Sequence, residues 1–198
     1  MNKLTIAILL LIAVVGGGFL MFYLYGTRIY DGAVSREETV NQSWGNVQAA
    51  YQRRADLVPN LVATVQGAAE NERQILIEVT EARAGVGAAK TPGEIDRHGA
   101  TINRAINVVF ERYPEVRATQ NFQVLQAQLE GTENRINTER VRYNESVKEF
   151  NGYIRGFWRS KALNLVKGVD DNFARRDMFE AKAGSEDAPV VDFSKPNE

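Results

Sequence analysis

Between Val40 and Val86 the apolar side chains recur at alternating spacings of three and four, the period that lines one face of a packed α-helix. Val40, Trp44, Val47, Tyr51, Val58, Leu61, Val65, Ala68, Ile75, Val79, Ala82 and Val86 occupy the stripe, and only Arg54 and Glu72 are charged members of it. Pro59 stands inside this run. A proline in a helix interior loses one backbone hydrogen bond, clashes with the carbonyl four residues back and costs about 3 kcal/mol, usually showing as a kink. Because the phase is the same on both sides of Pro59, the pattern predicts one long helix bent near Ala55 to Pro59. The other reading is a clean break, with Pro59 in the first turn of a new helix and Asp56 helping to cap it. A bend leaves the Ala55 carbonyl in need of a donor, and Thr132 to Arg135 is the first place to look for one.

"GVGAAKTPGE", Gly85 to Glu94, reads as the clearest loop, with two glycines and a Pro-Gly pair. Ile95, Ile102, Ile106, Val109 and Tyr113 then form a shorter stripe that stops at "YPEV". Here the phase is not kept: the next stripe restarts at Phe122, so Pro114 marks a break, with Thr119 or Asn121 as the cap that follows. The third stripe runs Phe122, Leu125, Leu129, Thr132, Ile136, Glu139, Tyr143, Val147, Phe150, Ile154 and Phe157. It predicts a helix of about 35–40 residues, roughly 55 Å long. Gly152 and Gly156 weaken its end, and "RSKALNLVKG" adds a short final helix. From Gly184 the chain is polar and interrupted by Pro189 and Pro196, which predicts a flexible tail in which Val190, Val191 and Phe193 are the residues able to dock. The predicted class is all-α, an up-and-down bundle of three to four helices with a long first helix kinked near Pro59.

Ahead of the bundle, Leu4 to Tyr25 is about 22 residues without a charge, against the roughly 20 needed to cross a bilayer as a helix. A secretory signal has a shorter apolar region, about 7–15 residues, ending in a small-residue cleavage site. This run instead ends in Phe22, Tyr23, Tyr25 and Tyr30, rings suited to the headgroup level. The expected organisation is a transmembrane anchor over 1–27, a helical domain over 28–183 and a tail over 184–198. The α-amino group and Lys3 on one side nearly balance Arg28 and Arg36 on the other, so charge decides orientation weakly. The short positive head resembles a signal anchor, which places the domain outside the cytoplasm.

Composition narrows the chemistry. Lys and Arg total 24 against 25 Asp and Glu, with a formal net charge of −1, so no overall positive field draws in nucleic acid. There is no cysteine, which removes disulfides and thiolate chemistry. A carboxylate-bridged di-metal bundle needs E-x-x-H on two helices, and the chain has one histidine, His98, read as a surface or seam residue. Phosphate-binding loops, zinc-protease motifs and nucleophile elbows are absent from the sequence. No cofactor is expected. Arg54, Glu72, Thr132 and Glu139 are polar members of apolar seams, where an unpaired charge is costly. Either the arginines beside Pro59 pair with Glu or Asn side chains of the third long helix, or these side chains snorkel at the bundle edge.

Taken together, the apolar N-terminal segment, "VNQSWGNVQAAYQRRADLVPNLVATVQGAAENE", "VTEAR", "ERYPEV", "NFQVLQAQLEGTENRINTERVRYNESVKEFN" and "PVVDF" resemble the LemA family of bacterial membrane-anchored proteins. The block Arg53, Arg54, Asp56, Pro59 and Asn60, and the block Thr132, Glu133, Asn134 and Arg135 followed by Tyr143 and Asn144, carry the resemblance. "FWRSKALNLVKGVDD" departs from the proline- and Gly-Phe-containing segment of relatives. The resemblance implies a bundle of long up-and-down helices on one anchor, and it does not imply an enzyme. The expected function is a non-enzymatic module of the bacterial inner membrane that binds the lipid bilayer and either itself or an envelope protein partner. The alternatives are an accessory or hydrolytic enzyme with a carboxylate site, and a signalling module that uses the Pro59 bend.

Overall fold

The computed structural model describes residues 3–64, 69–114, 119–166 and 173–180, and all regular structure among these is helical. Helix α1, Lys3–Thr64, is 62 residues long, about 93 Å at 1.5 Å per residue, and contains Pro59. It carries the apolar segment and the first bundle helix without interruption. Its side chains from Ile6 to Tyr25 are exposed, and Gly26, Ile29 and Ala33 are the first to be covered.

Helix α2, Ala69–Ala88, runs back along α1. Trp44 Nε1 donates to the Ala89 carbonyl at 3.2 Å, and Arg83 pairs with Asp56 at 3.1 Å. In one continuous helix Trp44 and Ala89 would be about 67 Å apart, so the long helix expected from Val40 to Val86 is in fact two antiparallel ones. The apolar count failed to register the reversal for a simple reason. Four residues, 65–68, separate the two helices, and four is one step of a three-and-four count. Both helices cover the same core on either side of these four, and the side chains of 65–72 lie outside the described residues.

The expected loop Gly85 to Glu94 is also shorter than its composition suggests. Helix α2 includes Gly85 and Gly87, and helix α3, Pro92–Arg112, starts inside the Pro-Gly pair. Thr91 caps it, its hydroxyl accepting from Glu94 N at 3.3 Å, while the Glu94 carboxylate accepts from Lys90 N at 2.8 Å. "TPGE" is thus a capping arrangement with proline at the first helical position. The orphan carbonyls at the end of α2 are met by Gln48, whose Nε2 lies 3.1 Å from Val86 O, 3.2 Å from Gly87 O and 3.1 Å from Ala89 O.

Helix α3 ends at Arg112, ahead of Pro114, and helix α4, Gln120–Ile154, starts with Thr119 as its cap, accepting from Phe122 N at 3.4 Å. From Phe122 to Phe150 every position of the predicted stripe is buried, Thr132 and Glu139 included, and Ser146 is buried beside them. Phe157 falls off that stripe: α4 stops at Ile154, and Phe157 opens helix α5, Phe157–Val166, with its ring exposed. Helix α4 is antiparallel to α1 and makes the most extensive interface with it, while α2 and α3 form a second pair. Val47, Val58, Leu61, Val86, Ile95, Ile102, Val147 and Phe150 are fully buried between the four. Each contributes about 1.5–3 kcal/mol of apolar burial. A second small cluster joins Ile29 and Ala33 of α1 to Ala162 and Leu163 of α5.

Candidate functional site

Two polar members of the seams, Arg54 and Thr132, meet in one layer across three helices. Arg54 of α1 has only 12% of its side chain exposed and reaches between α3 and α4. Its Nε donates to Asn103 Oδ1 at 2.7 Å, and its Nη1 donates to the Leu129 carbonyl at 2.8 Å and lies 3.2 Å from Glu133 Oε2. Thr132, whose hydroxyl also donates to the Leu129 carbonyl, is 3.4 Å from the same nitrogen. One turn back on α1, the Tyr51 hydroxyl donates to Asp96 Oδ1 at 2.8 Å, and Arg140 holds the other oxygen of Asp96 at 3.2 Å. Gly99 makes room for this contact, because a Cβ there would collide with the Tyr51 ring. Burial first, and then the Asp96 carboxylate, push the Tyr51 phenol well above its ordinary range. Desolvation lowers the Arg54 guanidinium, opposed by the Glu133 charge.

Glu139 extends the layer. Its carboxylate is buried, and Oε1 accepts from Arg135 Nε at 2.9 Å and Arg142 Nη1 at 3.0 Å, both arginines being mostly exposed. Its charge is therefore balanced from the surface of its own helix. Every carboxylate of this layer is met by a cation, and among the described residues no group of three or more His, Asp or Glu side chains is placed to hold a metal.

Beside the layer a groove of about 650 Å³ opens between α1 and α4. Ala49, Ala50 and Gly131 leave its floor low, and Asn46, Arg53, Gln128 and Arg135 stand on its rim. Among the described residues no acidic side chain lines it. Arg53 is exposed and makes no ion pair among the described residues. The groove is thus shaped for a slender segment and charged for an acidic one.

The segment 173–180 docks as an extended strap on α4. Asn144 accepts from Phe179 N at 2.8 Å and donates to Phe179 O at 2.9 Å, and Asn151 does the same with Arg176 at 3.0 and 2.8 Å. Seven helical residues span about 10.5 Å and three extended residues about 10 Å, so the two amides match the strap's repeat. Tyr143 donates to the Asp177 carbonyl at 3.1 Å, Arg176 pairs with Glu37 of α1 at 2.8 Å, and the Phe179 ring packs against Trp44, Tyr143 and Arg140. Burial raises the Tyr143 phenol above its ordinary value.

The candidate residues therefore divide. Arg54, Thr132 and Glu133 come together in the layer, while Arg53 and Arg135 face the groove. Tyr143 and Asn144 hold the strap. Asp56 reaches Arg83 of α2, and Pro59, Asn60 and Asn134 are exposed on their helices. The side chain of Glu72 and the tail 184–198 lie outside the described residues. Among the described residues no side-chain donor reaches the Ala55 carbonyl; the arginine beside it goes to Leu129 instead. Tyr51, Asp96, Asn103, Arg140 and Asn151 were not singled out from the sequence. The seven-residue spacing of Asn144 and Asn151 was the available signal for the last.

The LemA family model matches residues 43–193, a span that contains the layer, the groove and the strap. Protein LemA of Metamycoplasma hominis is 26% identical over 143 residues, which cover 70% of this chain. The match takes in 65% of that relative's own length.

Proposed function

The chain belongs to the LemA family, and on that premise we propose that it is a non-enzymatic, membrane-anchored module of the bacterial envelope that works by binding a partner in the groove between α1 and α4. One observation carries the reading: α1 runs without interruption from a segment long and apolar enough to cross a bilayer to the groove itself. Arg53 stands 28 residues beyond Tyr25, so the groove is held about 42 Å above the end of the apolar segment. A rigid stalk and an open basic groove suit a scaffold that presents a binding surface at a set height. The partner is an acidic helical segment, belonging to an envelope protein or to a second copy of the chain. The domain lies outside the cytoplasm in this reading, with α1 in the inner membrane.

Asp96, Glu133 and Glu139 are each engaged by an arginine, an arrangement that suits a structural and binding role. Photo-crosslinking from Gln128 in growing cells tests the proposal. An adduct that forms from Gln128 and disappears in Arg53→Glu is expected, and an adduct of twice the chain mass identifies self-assembly. Equal crosslinking from Gln128 and from Thr80, on the exposed side of α2, would overturn the groove as the binding surface.

A further inference from the structure

Helix α5 leaves its largest apolar side chains uncovered. Phe157, Trp158 and Leu165 are 64%, 71% and 73% exposed, although Ala162 and Leu163 of the same helix are buried against Ile29 and Ala33 of α1. At 100° per residue, Phe157, Lys161, Leu165 and Trp158 fall in one arc of about 100°, with Leu163 on the opposite side. The Lys161 ammonium sits over the Phe157 ring at 4.6 Å, and Arg159 over the Tyr153 ring at 4.5 Å. Between Phe150 and Val166 there are three cations, Arg155, Arg159 and Lys161, and no acidic residue.

The height of α5 gives this face its meaning. Ile29 and Ala33 lie four and eight residues beyond Tyr25, about 6 and 12 Å past the end of the apolar segment. A bilayer's headgroup layer adds roughly 5–8 Å to each side of the hydrocarbon, so α5 packs on α1 at the edge of that layer. The end of α4 is fixed at the same level, the Tyr153 hydroxyl donating to the Ile29 carbonyl at 3.2 Å. Gly32 permits this, since a Cβ there would collide with the Tyr153 hydroxyl. On α1 the stretch 26–36 adds Arg28 and Arg36 against Asp31.

We propose that α5 is a second membrane contact, its Phe157, Trp158 and Leu165 seated at the boundary of headgroups and acyl chains and its cations against the phosphates of anionic lipids. It rests on the reading of α1 as a membrane span. Trp158 is the type of ring that prefers this boundary, and Lys161 can extend from the apolar arc to the headgroups. With α1 and α5 both engaged, the bundle is held at two points, so that its tilt as well as its height is set.

The test reconstitutes the full chain in vesicles of phosphatidylcholine, alone or mixed with phosphatidylglycerol, with acyl chains brominated near the headgroup. The chain has two tryptophans, and Trp44 lies 19 residues beyond Tyr25, about 28 Å along α1, out of reach of the bromines. Loss of roughly one third of the emission is expected in anionic vesicles, at least twofold more than in neutral ones, because only one of two emitters meets the lipid. Trp158→Phe removes the quenching, and Arg155→Gln/Arg159→Gln/Lys161→Gln removes the difference between lipids. Flotation with the vesicles reads the α1 span separately. Flotation without quenching, whether α5 is in water or covered by a second copy, overturns the proposal while leaving the span intact. Equal quenching in both lipids overturns the anionic selectivity on which it is built.

Discussion

Arg54 decides the register between α1 and α4 because its guanidinium satisfies groups on two other helices at once. Replacing it with Met supplies similar bulk but leaves Asn103 and Glu133 without their donor. A loss of about 2 kcal/mol is expected, the scale of hydrogen bonds to a charged group. Thermal unfolding in detergent reads it as a drop of about 4–8 °C, and a rise or no change would mean that the layer contributes nothing. Tyr51 yields a pH prediction whose sign is fixed. Its phenol ionises higher in the folded chain than its ordinary value near 10, so the stability it contributes is complete below about pH 10 and is lost as pH rises further. Tyr51→Phe should flatten the fall of the melting temperature above about pH 10. An unchanged slope would move the effect to other groups, such as the Tyr143 phenol.

Among the elements, α4 was the most legible. Its stripe, its cap and the break at Pro114 follow from periodicity and turn chemistry, and Thr132 and Glu139 are buried where the period places them. The reversal between α1 and α2 leaves no break in the apolar period of the sequence, and the start of α3 was hidden by a Pro-Gly pair that serves as a cap. The strap could not be read from its own sequence, since it has no periodicity; its order comes from Asn144 and Asn151 on another element. Asn144→Ala or Asn151→Ala should release the strap. Hydrogen exchange at the Phe179 and Arg176 amides should accelerate at least tenfold while the α4 amides stay protected, whereas equal acceleration in both would make the asparagines general core residues. Pro59 lies within α1, exposed and without a backbone donor. Pro59→Ala should stabilise the chain by about 1–3 kcal/mol, as helix propensity dictates. A fall in melting temperature would show that Val58 and Leu61 need the proline's geometry to pack.

The described residues combine a membrane-length apolar helix and a four-helix core with a polar layer, a groove and a strap. The groove was only half legible: Arg53 and Arg135 stood out in the sequence, but the low floor made by Ala49, Ala50 and Gly131 depends on how α1 meets α4. The central claim is that one continuous helix holds this bundle at the membrane and outside the cytoplasm. The chain has no cysteine, and Asn137 is exposed on α4, so Asn137→Cys introduces a single reporter. Labelling that cysteine in intact cells with an impermeant thiol reagent, followed by carbonate extraction of the membranes, measures both halves of the claim together. The account predicts labelled protein that stays in the carbonate-washed pellet. Labelling only after permeabilisation, or release of the labelled chain into the carbonate supernatant, would contradict it.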